Sequence, residues 1–118
     1  MAFIPVTDLA SARSFYGEVL GLHVGEENPF AVRLHSAGTM VRLTQVENHQ
    51  PQLFTVAGWE VPDIGATVDD LVSRGVTFIR YDGMDQDERG IWTTPSGDRV
   101  AWFQDPDGNT LSLTSFAT

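Results

Sequence analysis

Twice along this chain a short apolar strand ends in Val-x-Asp-(Leu/Ile) and runs straight into an amphipathic helix. The first copy is Ile4-Pro5-Val6-Thr7-Asp8-Leu9, followed by helix residues Ala10 to Leu20. The second is Trp59-Glu60-Val61-Pro62-Asp63-Ile64, followed by helix residues Ala66 to Arg74. Each helix is followed by a glycine, Gly21 and Gly75. A period of about half the chain marks two copies of one supersecondary unit, because neither could bury its apolar face alone. Two such units can curl their sheets toward each other and enclose a cleft, so function is to be sought in what lines that cleft.

Local chemistry fills in each copy. Asp8 and Asp63 suit the N-cap, where a carboxylate accepts from the free N–H groups of the first turn. Leu9, Ala12, Phe15, Tyr16, Val19 and Leu20 recur at helical spacing, as do Ile64, Val68, Leu71 and Val72. Strands are expected at about 2–7, 22–27, 30–36 and 39–46, then at 53–61, 76–81, 90–94, 98–104 and 110–116. Asn28-Pro29, Ala37-Gly38, Pro95-Ser96-Gly97-Asp98 and Asp105-Pro106-Asp107-Gly108-Asn109 carry turn chemistry. The Asp105 and Asp107 carboxylates therefore read as turn residues rather than an acid–base pair. Residues 47–52 link the halves, and the acidic loop 82–89 is expected to be mobile. The order is βαβββ twice. The fold class is α+β: two modules forming a curved, mixed, mostly antiparallel sheet around a cup-shaped cleft. At 118 residues it makes a single domain, with module one at about 1–50 and module two at about 53–118.

Composition removes several classes of function. The formal net charge is −9, and the seven arginines are scattered with no lysine among them, so a nucleic-acid partner is not expected. There is no cysteine, which excludes disulfides, thiolate metal sites and cysteine nucleophiles. No apolar run is long enough to span a bilayer and no signal peptide is visible, so no membrane partner is expected and a cytoplasmic location fits. No Gly-x-Ser-x-Gly elbow or phosphate-cradling glycine loop is present. His23, His35 and His49 show no metal-binding spacing and read as surface or half-buried residues.

Val6-Thr7-Asp8-Leu9, Phe15-Tyr16 and Leu20-Gly21-Leu22 together resemble the opening of the vicinal oxygen chelate superfamily, which includes glyoxalase I, extradiol dioxygenases, and bleomycin and fosfomycin resistance proteins. Val61-Pro62-Asp63-Ile64, Gly75-Val76 and the closing Phe103-Gln104-Asp105-Pro106-Asp107-Gly108-Asn109 are similar to the second module of that family. The resemblance covers nearly the whole chain. It implies a homodimer, and a divalent metal held by His, Glu or Gln at four positions. Carried onto this chain, those positions are Met1, Arg42, Val56 and Ser112. Methionine is a soft thioether. Arginine has a permanent charge and no lone pair. Valine has no donor atom, and one serine hydroxyl cannot hold a divalent ion. A dication 4 Å from a guanidinium is opposed by on the order of 8 kcal/mol at an effective dielectric of about 20. No metal and no cofactor are therefore expected.

Strand alternation divides the remaining residues. Ile4, Val6, Val41, Leu43, Leu111 and Leu113 should pack under the helices. The opposite faces carry Phe3, Pro5, Met40, Arg42, Thr44, Phe54, Val56, Glu60, Thr110, Ser112 and Thr114, with Trp92 nearby. Either Trp102 or Phe103 faces the cleft, and parity does not decide which. The expected ligand-binding set is Arg42, Phe54, Val56, Glu60, Trp92, Trp102, Ser112 and Met40, an apolar and aromatic surface with a few polar groups. An inward Arg42 needs a partner, either an internal carboxylate such as Glu60 or a ligand bearing an anion or carbonyl. The expected function is binding or sequestration of a small organic molecule without a metal. The alternative is a glyoxalase-like lyase or dioxygenase-like enzyme with non-standard metal ligands.

Overall fold

The computed structural model describes residues 2–36, 38–51 and 54–117. It comprises two compact units, Met1–Leu53 with Asp105–Asn109, and Phe54–Gln104 with Thr110–Thr118. Each contains a four-stranded mixed sheet and one helical segment, so the α+β class and the repeated module both hold.

In the first unit, β1 (Ala2–Val6) pairs in parallel with β4 (Thr39–Gln45), followed by β3 (Ala31–Ser36) and β2 (His23–Asn28), both antiparallel. The sheet order is β1-β4-β3-β2. Ile4, Val6, Leu34, Val41 and Leu43 are buried, while Phe3, next to Ile4 on β1, is exposed. The period-two pattern thus sorts the faces as expected. Asp8 caps α1 (Leu9–Arg13), accepting from Ala10 N at 2.9 Å and Ser11 N at 3.2 Å.

The expected single helix over 10–20 changes character partway. Ser14–Val19 is π-helical, with Leu20 N donating to Phe15 O at 2.9 Å. Gly17, a weak helix former, lies within this widened turn. Tyr16 on it is fully buried, and the other stripe residues are at least half-buried.

In the second unit, β5 (Thr55–Glu60) pairs in parallel with β8 (Thr110–Ser115), which is followed by β7 (Arg99–Gln104) and the two-residue β6 (Trp92–Thr93), both antiparallel. Asp63 caps α2 (Ile64–Ser73) by accepting from Ala66 N at 3.1 Å. Ile64, Val68 and Leu71 are buried, whereas Val72, expected in the same stripe, is 52% exposed. Val72 follows Leu71 by about 100° around the helix, which turns it off the sheet-facing side. It lines an open depression of about 370 Å³ with Val76, Phe78 and Arg89.

The strand expected at 76–81 is reduced to an isolated bridge between Phe78 and Phe103. A side chain supplies the bonds that a neighbouring strand would have made. Gln86 Oε1 accepts from Tyr81 N at 2.7 Å, and its Nε2 donates to Ile79 O at 3.0 Å and Gly90 O at 2.8 Å. Asp87 Oδ1 accepts from Arg89 N and Ile91 N. Arg89 donates to both oxygens of Asp69 on α2, at 2.9 and 3.1 Å, and that hydrogen bonding holds the Asp69 carboxyl below its usual range. The loop expected to be mobile is therefore tied internally and to α2. Among the described residues, no helix is long and apolar enough to cross a membrane.

Candidate functional site

The turn 105–109 is built into the first unit through a buried polar network. Asp105 Oδ1 accepts from Asp107 N and Asn109 N, both at 2.9 Å, which shapes the turn itself. Its Oδ2 accepts from Tyr16 Oη at 2.7 Å and Asn109 Nδ2 at 2.8 Å. Asn109 Nδ2 also donates to Pro5 O at 2.8 Å, and its Oδ1 lies 2.9 Å from His49 Nε2. Asp107 accepts from Thr7 N at 3.0 Å and from the Thr7 hydroxyl. Burial, and then the neighbouring Asp105 carboxylate, push the Tyr16 phenol well above its ordinary pKa, so it remains a donor. Both Asp105 oxygens and the Asn109 amide are used to fix the turn against Pro5, Tyr16 and His49, which identifies the network as structural. His49 is accounted for by the same network.

The open face of the first sheet differs in this respect. Arg42 sits on β4 with Phe3 and Arg33 as its cross-strand neighbours. Thr44 is two residues along on the same face, between Pro5 and Ala31. Met40 lies two residues the other way, paired with His35. Arg33 has its own counter-ion, Glu26 at 3.0 Å. Among the described residues, no carboxylate pairs with Arg42. Its Nε and the Thr44 Oγ1 are both buried without a hydrogen-bond partner. An unpaired buried polar atom costs about 1–3 kcal/mol, and more when it belongs to a charged group. Arg33 and Arg42 are cross-strand neighbours, and Glu26 is a counter-ion for Arg33 alone, so like-charge repulsion adds to the cost at Arg42.

The second unit's sheet carries an aromatic face. Phe103 and Ala101 are fully buried toward the core, which settles the alternation: Trp102 lies on the other face. It is the cross-strand partner of Ser112. Trp92 lies 6.3 Å from Trp102 at an interplanar angle of 30°, and Tyr81 meets Trp102 edge-on at 5.4 Å. Trp92, Trp102 and Ser112 are thus brought together.

Val56, Phe54 and Glu60 are arranged differently from simple alternation. The β5–β8 register shifts between Thr55 and Ala57, so a bulge falls at Val56. The residue opposite Ser112 is Gly58, and Thr55 rather than Phe54 shares the face of Thr110. Phe54 precedes the strand and is 63% exposed, and Glu60 stands exposed at the strand's end. A Cβ on Gly58 would crowd Ser112 Oγ, so the serine hydroxyl would have to turn away to admit a side chain there.

Three residues of these faces escaped the expected binding set. A glycine inside a strand was the available signal for Gly58. Thr44 could have been found from its i+2 relation to Arg42. Tyr81 was hidden because its segment read as an ordinary strand.

The metal implied by the family resemblance meets a poor donor set. Arg42 has no lone pair, and neither Val56 nor Gly58, which takes its place opposite Ser112, has a side-chain donor. Met1 lies outside the described residues. Among the described residues, no group of three or more His, Cys, Asp or Glu is placed to hold a metal ion.

Comparison with known proteins agrees with the architecture. The family model described as Glyoxalase/Bleomycin resistance protein/Dioxygenase superfamily matches residues 1–113. None of the curated proteins compared with the chain matches it. Among solved structures, an integron cassette protein from the mobile metagenome of the Halifax Harbour sewage outfall is 26% identical. It superposes with a TM-score of 0.75, covering 98% of this chain and 95% of its own. A glyoxalase family protein from Bacillus anthracis is 17% identical with a TM-score of 0.76, covering 98% of this chain and 90% of that one. Lactoylglutathione lyase from Agrobacterium tumefaciens is 18% identical with a TM-score of 0.71, covering 97% and 90%. With the duplicated βαβββ unit, both capped helices and the closing Asp105–Asn109 turn all in place, the match over residues 1–113 shows that the chain belongs to the glyoxalase/bleomycin resistance protein/dioxygenase superfamily.

Proposed function

We propose that this protein binds a small organic molecule without a metal ion. The observation that carries the reading is Arg42, a permanent cation at a position where the resemblance calls for a metal ligand. A guanidinium there repels a divalent ion and offers it no electron pair. The Trp92, Trp102 and Tyr81 face of the second sheet supports the same reading, since half-buried aromatic rings beside a lone serine hydroxyl suit an organic ligand better than a hydrated cation. The chain would hold or sequester its ligand, in the manner of a resistance protein rather than a lyase.

Two measurements on one preparation test this. Elemental analysis of the protein purified without chelator should find zinc, nickel, manganese and iron all far below one per chain. Native mass spectrometry, followed by denaturation, should release an organic adduct. A stoichiometric divalent metal whose removal abolishes binding would instead establish a metalloenzyme with non-standard ligands.

A further inference from the structure

Two buried atoms on β4 lack what every other buried side-chain polar atom among the described residues has. Arg42 Nε and Thr44 Oγ1 have no hydrogen-bond partner. They belong to residues i and i+2 of one strand, so both side chains rise from the same sheet face. The Nε–H can only donate, whereas a hydroxyl can donate or accept. One kind of group satisfies both, an acceptor oxygen placed between them.

The surroundings specify its charge and size. Arg42 is positive, Arg33 stands opposite it, and among the described residues no carboxylate neutralises Arg42. The acceptor is therefore an anion. Phe3 and Pro5 flank the position on β1, and Ala31 lies beside Thr44 on β3, so the anion sits against apolar neighbours. The chain's net charge of −9 disfavours multiply charged ligands, which the rest of the surface would repel. The Nε edge of a guanidinium presents two parallel N–H groups, a spacing that matches the two oxygens of a carboxylate.

We propose that Arg42 Nε and Thr44 Oγ1 together seat a carboxylate, and that the molecule this protein binds is a small organic monoanion. The proposal rests on the metal-independent binding reading above and adds the ligand's chemical class and its two anchoring atoms.

The test uses three probes of nearly one shape: benzoate, neutral benzamide and benzylammonium. Binding to the full chain is followed by calorimetry and by the arginine Nε–H signals in a ¹H–¹⁵N spectrum, with the Arg42 signal identified by its loss in Arg42→Met. Benzoate should shift the Arg42 Nε–H signal and bind at least about tenfold more tightly than benzamide, with benzylammonium weakest. Arg42→Met should remove that preference. Thr44→Val, a near-isosteric change, should weaken benzoate severalfold and leave benzamide unaffected, which covers the case of an unfolded Arg42 variant. Equal affinity for benzoate and benzamide, an unmoved Arg42 signal, or no binding of any probe would overturn the proposal and leave an ordered water as the buried partner. A metal-free protein that releases a neutral adduct while Arg42 stays silent would sink this inference alone. A stoichiometric metal required for binding would sink the reading beneath it.

Discussion

The Tyr16 hydroxyl donates to a carboxylate that already accepts three other hydrogen bonds, so its removal is not fatal. Tyr16→Phe should cost about 1–3 kcal/mol, the range for losing a buried bond to a charged acceptor, as read from urea midpoints at neutral pH. Its pH dependence has a definite sign. In the unfolded chain tyrosine ionises near pH ~10, whereas folded Tyr16 keeps its proton well beyond that. The stability it contributes is complete below about pH 10. It falls as pH rises further, because only the unfolded state gains by releasing the proton. Urea midpoints measured from about pH 8 to about pH 11 should decline at the alkaline end, and Tyr16→Phe should flatten that decline. If the variant declines as steeply as the parent, the Tyr16–Asp105 bond does not shape the alkaline behaviour. The contrast with Arg42 is instructive. Both residues carry buried polar atoms on apolar elements, yet Tyr16 Oη has an acceptor from its own chain, whereas among the described residues Arg42 Nε has none.

The helix ends show how much local chemistry is written in the chain. Asp8 accepts from two backbone N–H groups by its Oδ1, and Asp63 from one. Asp8→Ala should therefore destabilise more than Asp63→Ala, each on the order of 1 kcal/mol, and thermal denaturation of the pair measures the difference. These caps, the buried face of the first sheet and the closing turn were legible because each rests on residues close in sequence. The stretch 76–81 was not. Its apolar pattern fits a strand, but beyond a single bridge to β7 its hydrogen bonds go to the Gln86 side chain, and nothing in the local pattern marks a glutamine for that duty. Val72 was misplaced for a related reason, since helical spacing admits it to the stripe while the actual packing face is narrower. The bulge at Val56 shifted Phe54 out of step, and the only hint of irregularity in that strand was Gly58. Gln86→Ala would remove three hydrogen bonds at once, and amide exchange at Tyr81 should quicken well before global unfolding. An unchanged Tyr81 rate would mean that the loop is held by Asp87 and Arg89 alone.

For the whole molecule, metal-independent binding carries a simple expectation. Prolonged dialysis against a chelator should leave the melting temperature unchanged, since on that proposal no bound metal contributes to stability; a fall of several degrees would contradict it. The superfamily was legible at this scale because the motifs that resemble it, from Val6-Thr7-Asp8-Leu9 to the closing Phe103–Asn109 run, span nearly the whole chain. The ligand was not, because it depends on which polar atoms are left unmatched after packing. One connection has a further effect on how the chain must be made. The first unit contains residues 105–109, and Asn109 donates to Pro5 across a sequence separation of 104. A ribosome delivers Tyr16 and Pro5 long before their partners emerge. The opening half therefore stays incompletely tied during synthesis until the Asp105–Asn109 turn has been made.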